Sequence, residues 1–539
     1  MHKTQTLSIL LLLAALPVTL WGRKFYDDDP LWKMPAPLDT PAAEERELND
    51  FYDYFVNTFA SPAERQGEHG AGLIPAQAVN TLGEVPDSEW FTNRIGHREM
   101  SVEELLRGPG DDRPPSREGK WTIVSAKTEG VTPGFMIKDA TGERYLLKFD
   151  PLSNPEMASG ADLLGTRFFH ALGYNVPQNY IVHFRQEDLA IAEDVMMTDV
   201  TGLERPLRVD DIEKILRAVP KRSDGSIRGL ASRLLKGKPL GGFRYYGTRS
   251  DDPNDIVPHE HRRDLRGYYV FCSWLGHDDS RSINTLDMLV KQDGKQFVRH
   301  HLIDFGSILG SASEEANSPR GGNQYLYAFK PALVQIATLG FYVPVHYRWH
   351  YMKFPAIGRF EWEIYQPDKW KPEYKNPAFD NRLPDDTYWA AKKVMAFSDE
   401  AISAIVKLAQ YSDPEAEAWL VQCLIERRDR VGREYFSRVL PLDDFIVEEN
   451  RLQWTHLGEK YGFGAPPPLE IAWSRFDNQA ETHAPLVDAG AELPQEARQA
   501  ADGAYFAAHI AERGSERSVT VYLRKRDDRF LVVGIDRTW

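Results

Sequence analysis

The hydrophobic pattern changes period near residue 150, and that change limits the fold more than any other feature. Upstream, residues 121–126, 134–139 and 144–149 are short β-rich runs separated by Gly, Pro and Thr turns, which reads as a series of strands. Downstream, Met157, Ala161, Leu164, Phe168 and Leu172 recur at helical spacing, and Gly173 supplies a stop. Residues 180–184 read as a further strand. Helical segments dominate from residue 209 onward and are clearest at 264–275, 388–397, 398–409 and 414–440. A chain ordered in this way is expected to be α+β, with a β-rich lobe followed by a helical one.

The length of 539 residues allows about two to four domains. Residues 25–119 are rich in Asp, Glu, Pro and Gly, with short helical patches at 45–59 and 101–106, and read as an extension that wraps the body. The prolines at 466–468 mark a linker. Beyond them, 505–511, 518–524 and 530–535 alternate like antiparallel strands. The expected divisions are therefore 1–24, 25–119, 120–465 and a small β-rich C-terminal module at 466–539. No internal repeat is visible.

Charge and cysteine content exclude several classes. The 80 acidic residues outnumber 65 basic ones, for a net charge of −15. A general nucleic-acid binder needs a basic excess on some face, so no nucleic-acid partner is expected. Cys272 and Cys423 are the only cysteines, which rules out a disulfide scaffold and argues against a Cys-rich zinc domain. A mean hydropathy of −0.47 excludes a multi-span membrane protein.

The N-terminus carries Lys3, an apolar run at 7–21, then Arg23 and Lys24. About 15 apolar residues suit a signal-peptide core better than a span of ~20. No A-x-A site or lipidatable cysteine follows. Two readings stay open, a cleaved secretory signal and an uncleaved single anchor, with a buried N-terminal helix as the third. The first two place the rest of the chain outside the cytoplasm, in a periplasmic or extracellular setting.

Four features suited to phosphoryl transfer occur in one order. Lys148 ends the third strand. Glu156 opens the following helix. His277-Asp-Asp-Ser-Arg-Ser-Ile-Asn284 follows an amphipathic helix. Asp304-Phe305-Gly306 follows a strand-like segment. Phosphoryl transfer gives protein groups little covalent work, so catalysis is positioning and charge stabilisation. A strand lysine can fix phosphates, and a carboxylate on the next helix can hold that lysine. A loop Asp can orient an attacking hydroxyl and take its proton. Asn and a second Asp can bind Mg²⁺, which prefers carboxylate and phosphate oxygens. Gly306 permits a sharp turn there.

On these residues the chain resembles the protein-kinase-like superfamily, nearest to its atypical bacterial branch of HipA-type and CotH-type proteins. The resemblance spans roughly residues 120–440 and implies a two-lobed kinase-like fold that binds ATP or another nucleotide with Mg²⁺ or Mn²⁺. It implies that Lys148 contacts phosphates, held by Glu156, that Asp279 is the base, and that Asn284 and Asp304 bind metal. The loop at 127–134 stands where a Gly-rich loop belongs, making Gly130 and Gly134 the cofactor-binding candidates, but it lacks G-x-G-x-x-G. Asp278 replaces the usual Arg, so activation by a phosphorylated loop is not expected. No Ala-Pro-Glu follows Asp304. The acceptor is expected to be a protein or another component of the cell envelope. A catalytically inactive kinase-fold scaffold and an envelope-glycan binder are the competing functions.

Other candidates are weaker. His259, His261, His300 and His301 lack the carboxylate spacing of a zinc set and read as polar groups that cap the helix entering the catalytic loop or meet substrate. Residues 243–249 mix Arg with aromatics and suit a substrate groove or a packed loop. Residues 341–362 read as helical-lobe core or a covering loop, with carbohydrate stacking as the alternative.

Overall fold

The computed structural model describes residues 22–60, 62–67, 72–127, 134–198, 203–349, 351–487 and 490–539. Gly130 and the apolar run at 7–21 lie outside the described residues.

Two short helices, α1 (Asp50–Phe55) and α2 (Val102–Arg107), precede the first sheet. Ser101 starts α2 with a reciprocal cap: Glu104 N donates to its hydroxyl, and Glu104 accepts from Ser101 N. The sheet follows as β1 (Trp121–Lys127), β2 (Gly134–Lys138) and β3 (Arg144–Lys148). The long helix α3 (Met157–Leu172) leads back into β4 (Gln178–Phe184) and β5 (Leu189–Ile191). A small ribbon, β6 (Met196–Thr198) with β7 (Glu204–Pro206), and helix α4 (Val209–Arg217) precede β8 (Ile227–Arg233). The sheet order is β4-β8-β3-β2-β1-β5. All neighbours are antiparallel except β1 and β5. Its core gathers Trp121, Phe135, Tyr145, Phe149 and Phe184 with Ile212 and Leu216 of α4.

The second lobe opens with β9 (Lys238–Pro239) and helix α5 (Arg263–Leu275), which ends where Gly276 turns left-handed at φ +69°. A hairpin of β10 (Thr285–Gln292) and β11 (Lys295–Leu302) follows. Its two-residue turn, Asp293-Gly294, has positive φ at both positions, which Asp-Gly tolerates. Equal strand lengths pair Thr285 with Leu302. Asn284 and Asp304 are therefore delivered to the same end of the ribbon.

The remaining helices are α6 (Phe329–Ala337), α7 (Val345–Trp349), α8 (Pro377–Asp380), α9 (Pro384–Met395), α10 (Asp399–Lys407) and α11 (Pro414–Phe436). Ser398 and Asp413 cap α10 and α11 through their side chains. The largest core joins α3, α5 and α9 to α11, and includes Val85, Trp90 and Phe91 of the N-terminal extension. This extension is thus part of the packing.

A ribbon of β12 (Leu442–Glu448) and β13 (Arg451–His456) precedes helix α12 (Leu457–Lys460). The last sheet is built from β14 (Leu469–Asp477), β15 (Thr482–Pro485), β16 (Tyr505–Glu512), β17 (Ser518–Arg526) and β18 (Arg529–Thr538), in the order β15-β14-β16-β17-β18. Its core takes in Leu440, Leu442, Phe445 and Leu452. Packing therefore crosses the prolines at 466–468, because the β12–β13 ribbon needs the sheet to cover its apolar side.

One of the alternatives for residues 341–362, core as against covering loop, is overturned here. Residues 341–362 do not act together as core. Ile357 and Phe360 are buried, but Phe341 is 89% exposed, and none of the α6 residues just before it is buried. The apolar side chains of α6 and of residues 341–343 face solvent.

Candidate functional site

The end of β3 puts Lys148 at the mouth of a cleft between the two lobes. Its Nζ lies 2.8 Å from Asp162 Oδ2 and 2.8 Å from Asp304 Oδ1. Burial alone would lower the lysine's pKa; the two carboxylates more than offset it and raise it. Asp162 sits on α3 with a side chain only 2% exposed. Its Oδ1 accepts from Asn179 Nδ2 at 2.9 Å and from Phe305 N at 3.2 Å. Burial pushes its pKa up against the pull of Lys148.

The expected partner, Glu156, is elsewhere. It precedes α3 with φ +71°, and its carboxylate accepts from Ser412 N at 2.8 Å and Ser412 Oγ at 3.1 Å. The first turn of α3 points away from Lys148, so the carboxylate that reaches back is farther along the helix. Asp162 is the only acidic residue in α3, a signal present in the sequence: an isolated acid in an apolar helix needs a partner.

Asp304 has φ +59° and ψ +71°, a left-handed conformation that Asp tolerates better than most residues. It turns the chain so that Phe305 enters the core while the carboxylate stays in the cleft. Phe305 is fully buried, stacked 4.9 Å from Phe169 and 5.9 Å from His277. Gly165 makes this packing possible: a Cβ there would lie 2.3 Å from Phe305 Cβ. Burial lowers the pKa of His277, whose Nδ1 faces Ser307 O at 3.4 Å.

The loop after α5 is strapped to this turn. Asn284 Nδ2 donates to Asp279 O at 2.7 Å, and Ile303 N donates to Asn284 O at 3.0 Å. Asp279 itself forms an ion pair with Arg281. Arg281 also reaches Asp50 of α1 at 2.7 Å and lies 4.9 Å over the Tyr374 ring. Burial would depress the Arg281 pKa, but Asp279, Asp50 and Glu373 raise it. The N-terminal extension thus holds the arginine beside the loop carboxylate.

Gly134 pairs with Lys148 across β2 and β3, and a Cβ there would sit 2.6 Å from Leu147 O. It lines the cleft cavity with Lys148, Asp162, Asp304, Gly306 and Ser313. That cavity is narrow, about 40 Å³.

Asp278, standing where the sequence pattern would carry Arg, is bound to Asn317 Nδ2 at 3.1 and 3.0 Å. Burial, with smaller contributions from Asp279 and Glu373, pushes it up to about 7. A carboxyl whose folded pKa exceeds its unfolded value favours the fold when protonated. Its contribution is present below the unfolded pKa and is lost as pH rises toward 7. Asp278→Asn therefore gains stability relative to wild type between pH 5 and pH 8, on the order of 2 kcal/mol. Urea unfolding at the two pH values measures this; an equal difference at both would contradict it.

The other sequence candidates resolve as structure. His259 Nε2 lies 2.8 Å from Asp255, and His300 Nδ1 lies 2.7 Å from Asp287 while stacking on Trp90. His261 bonds to Arg266 at 2.8 Å. His301 Nδ1 faces Arg299 O at 3.1 Å. Phe243 and Tyr245 are buried, and Arg249 is ion-paired with Asp287 at 3.0 Å, so residues 243–249 form a packed loop. Among the described residues no group of three or more His, Cys, Asp or Glu can hold a metal unaided.

No family model matches the chain, and no curated protein does. Among solved structures it is similar to the Helicobacter pylori proinflammatory kinase CtkA, at 10% identity and a TM-score of 0.30, over 58% of this chain and 99% of that one. It is also similar to the Golgi casein kinase with Mn/ADP bound, at 10% identity and a TM-score of 0.27, over 62% and 74%. A second structure of the Golgi casein kinase matches at 9% identity and a TM-score of 0.26, over 74% and 94%. Scores of this size do not by themselves identify a fold.

Proposed function

We propose that this chain is an atypical kinase-like phosphotransferase, acting on an acceptor outside the cytoplasm from a nucleotide bound with Mg²⁺ or Mn²⁺. The observation that carries the reading is the convergence of Lys148, Asp162 and Asp304 on one cleft, with the Asp279–Asn284 loop strapped to the same turn. Lys148 is the group that binds phosphate oxygens, and Asp162 holds it on α3. Asp304 and the Oδ1 of Asn284 are the oxygen donors for the cation. Two such donors fit Mg²⁺, which is bound by one or two protein groups together with substrate phosphates. When bound, the cation neutralises charge on the phosphates.

Asp279 is the group that orients the acceptor hydroxyl and takes its proton. Its ion pair with Arg281 holds the carboxylate from one side. A nucleotide site usually needs roughly 300 Å³ or more, so binding must separate Lys148 from Asp304 and widen the cleft.

A second reading has its own support. Asp279 and Lys148 are both engaged in ion pairs, which suits a scaffold that no longer turns over. Metal-dependent nucleotide hydrolysis, with water as the default acceptor, separates the two. Asp279→Asn is expected to cut turnover by about 10²–10⁴-fold with nucleotide affinity retained. Turnover absent from wild type would favour the scaffold, and turnover unchanged in the variant would remove Asp279 from the role of base.

A further inference from the structure

Helices α6 and α7 and the segment between them hold most of their apolar side chains in solvent. Ile336 is 71% exposed, Leu339 86% and Phe341 89%. Polar and cation–aromatic contacts join the flanks of this segment and α7 to the rest of the protein. Asn154 Nδ2 donates to Pro355 O at 2.8 Å, Lys353 lies 3.8 Å over the Trp419 ring, and Gln324 meets His346 at 3.1 Å. A contiguous exposed apolar patch of this kind marks an interaction surface.

The patch continues onto α1 and the turn after it. Tyr327 contacts Phe59 at 5.8 Å, Phe59 contacts Phe55 at 5.6 Å, and Phe55 contacts Phe51 at 4.7 Å. Phe51 and Phe59 are themselves exposed. The acids of α1 do not oppose this face electrostatically as free charges: Asp53 is buried against Arg244, and Asp50 is bound to Arg281.

Charge identifies the partner. From residue 316 to 360 the chain has no Asp or Glu, and it carries Arg320, Lys330, Arg348, Lys353 and Arg359. The chain as a whole has a net charge of −15. An acidic protein is repelled by an anionic bilayer everywhere except where its acids are absent. Aromatic and aliphatic side chains mixed with Lys and Arg are the composition of segments that lie in the membrane interface. Among the described residues no helix is long and apolar enough to cross a membrane.

We propose that the α6–α7 segment, with the aromatic edge of α1, docks on the surface of an anionic lipid bilayer and lies in its interface without spanning it. This does not depend on the chemistry of the cleft.

Hydrogen exchange of the full chain, read by mass spectrometry, tests it locally. With vesicles of mixed phosphatidylglycerol and phosphatidylcholine, amides of residues 329–345 are expected to slow. With phosphatidylcholine alone they are not. Lys330→Glu combined with Arg348→Glu is expected to weaken binding to the anionic vesicles about tenfold or more. Leu339→Asp combined with Phe341→Asp removes the protection, and both pairs are exposed enough to leave the thermal unfolding midpoint unchanged. Cosedimentation with no slowing at 329–345 would overturn the proposal, since another segment would then be the anchor. Equal protection by neutral vesicles would overturn the charge argument. Protection that rises with protein concentration in the absence of lipid would assign the patch to a second copy of the chain.

Discussion

Replacing Lys148 with Met is expected to destabilise the protein by about 3–5 kcal/mol at neutral pH. The loss comes from the carboxylate left behind, not from the lysine's own packing. Asp162 is almost fully buried and keeps its bonds from Asn179 and Phe305, but it loses the one cation that pairs with it among the described residues. Asp304 is about half exposed, so water can take over there at little cost. The pH dependence has a definite sign. Asp162 already has a raised pKa beside Lys148, and removal of the lysine raises it further. The penalty is therefore largest above the raised folded pKa and fades as pH falls toward the unfolded value near 4. Asn at position 162 preserves the acceptor oxygen without the charge. The double variant Lys148→Met/Asp162→Asn is expected to recover stability to within about 1 kcal/mol of wild type, because replacing both members of a buried pair is often close to neutral. Urea unfolding of the four proteins at pH 5 and pH 8 measures the cycle. A Lys148→Met protein as stable as wild type at pH 8 would show that Asp162 has another counter-charge.

The second large effect concerns binding. Asp304→Ala is expected to abolish metal-dependent nucleotide binding while costing the fold little. Its side chain is 52% exposed, and the variant leaves the buried Lys148–Asp162 pair intact. The left-handed backbone at this position makes Asn a useful companion, because Asn tolerates that conformation and Ala does so less well. A loss of binding shared by Ala and Asn is then due to the missing charge, not to a shifted turn.

The sequence revealed the parts of the site more readily than their pairing. Strand and helix periods around residue 150 were legible because each element alternates at its own repeat. The spacing from Asn284 to Asp304 fits the hairpin that joins them, and Asp293-Gly294 at its turn is a further signal in the sequence. The partner of Lys148 was not legible, since proximity in sequence favoured Glu156 just before the helix, whereas Asp162, the acid within it, is the one that reaches the lysine. The strand at 227–233 was also hidden. Its sequence IRGLASR does not alternate, because burial on both faces of the sheet removes the pattern. Residues 341–362 were read as core or as a covering loop, because an aromatic run reports apolar surface and not whether the protein itself covers it. The C-terminal boundary was placed at the prolines, yet tertiary packing draws Leu440 and Leu442 into the sheet beyond them.

The central claim is that this cleft binds a metal–nucleotide complex through Lys148 and Asp304. Thermal unfolding with several nucleotides, with and without Mg²⁺ or Mn²⁺, tests it most directly on wild type and Asp304→Ala. A nucleotide at a hundred times its Kd should stabilise the fold by about 2.7 kcal/mol. The account predicts a shift in wild type that requires the metal and is lost in Asp304→Ala, whose own midpoint stays close to that of wild type. Folded wild-type protein that shows no shift with any nucleotide and metal, or an equal shift in the variant, would contradict it.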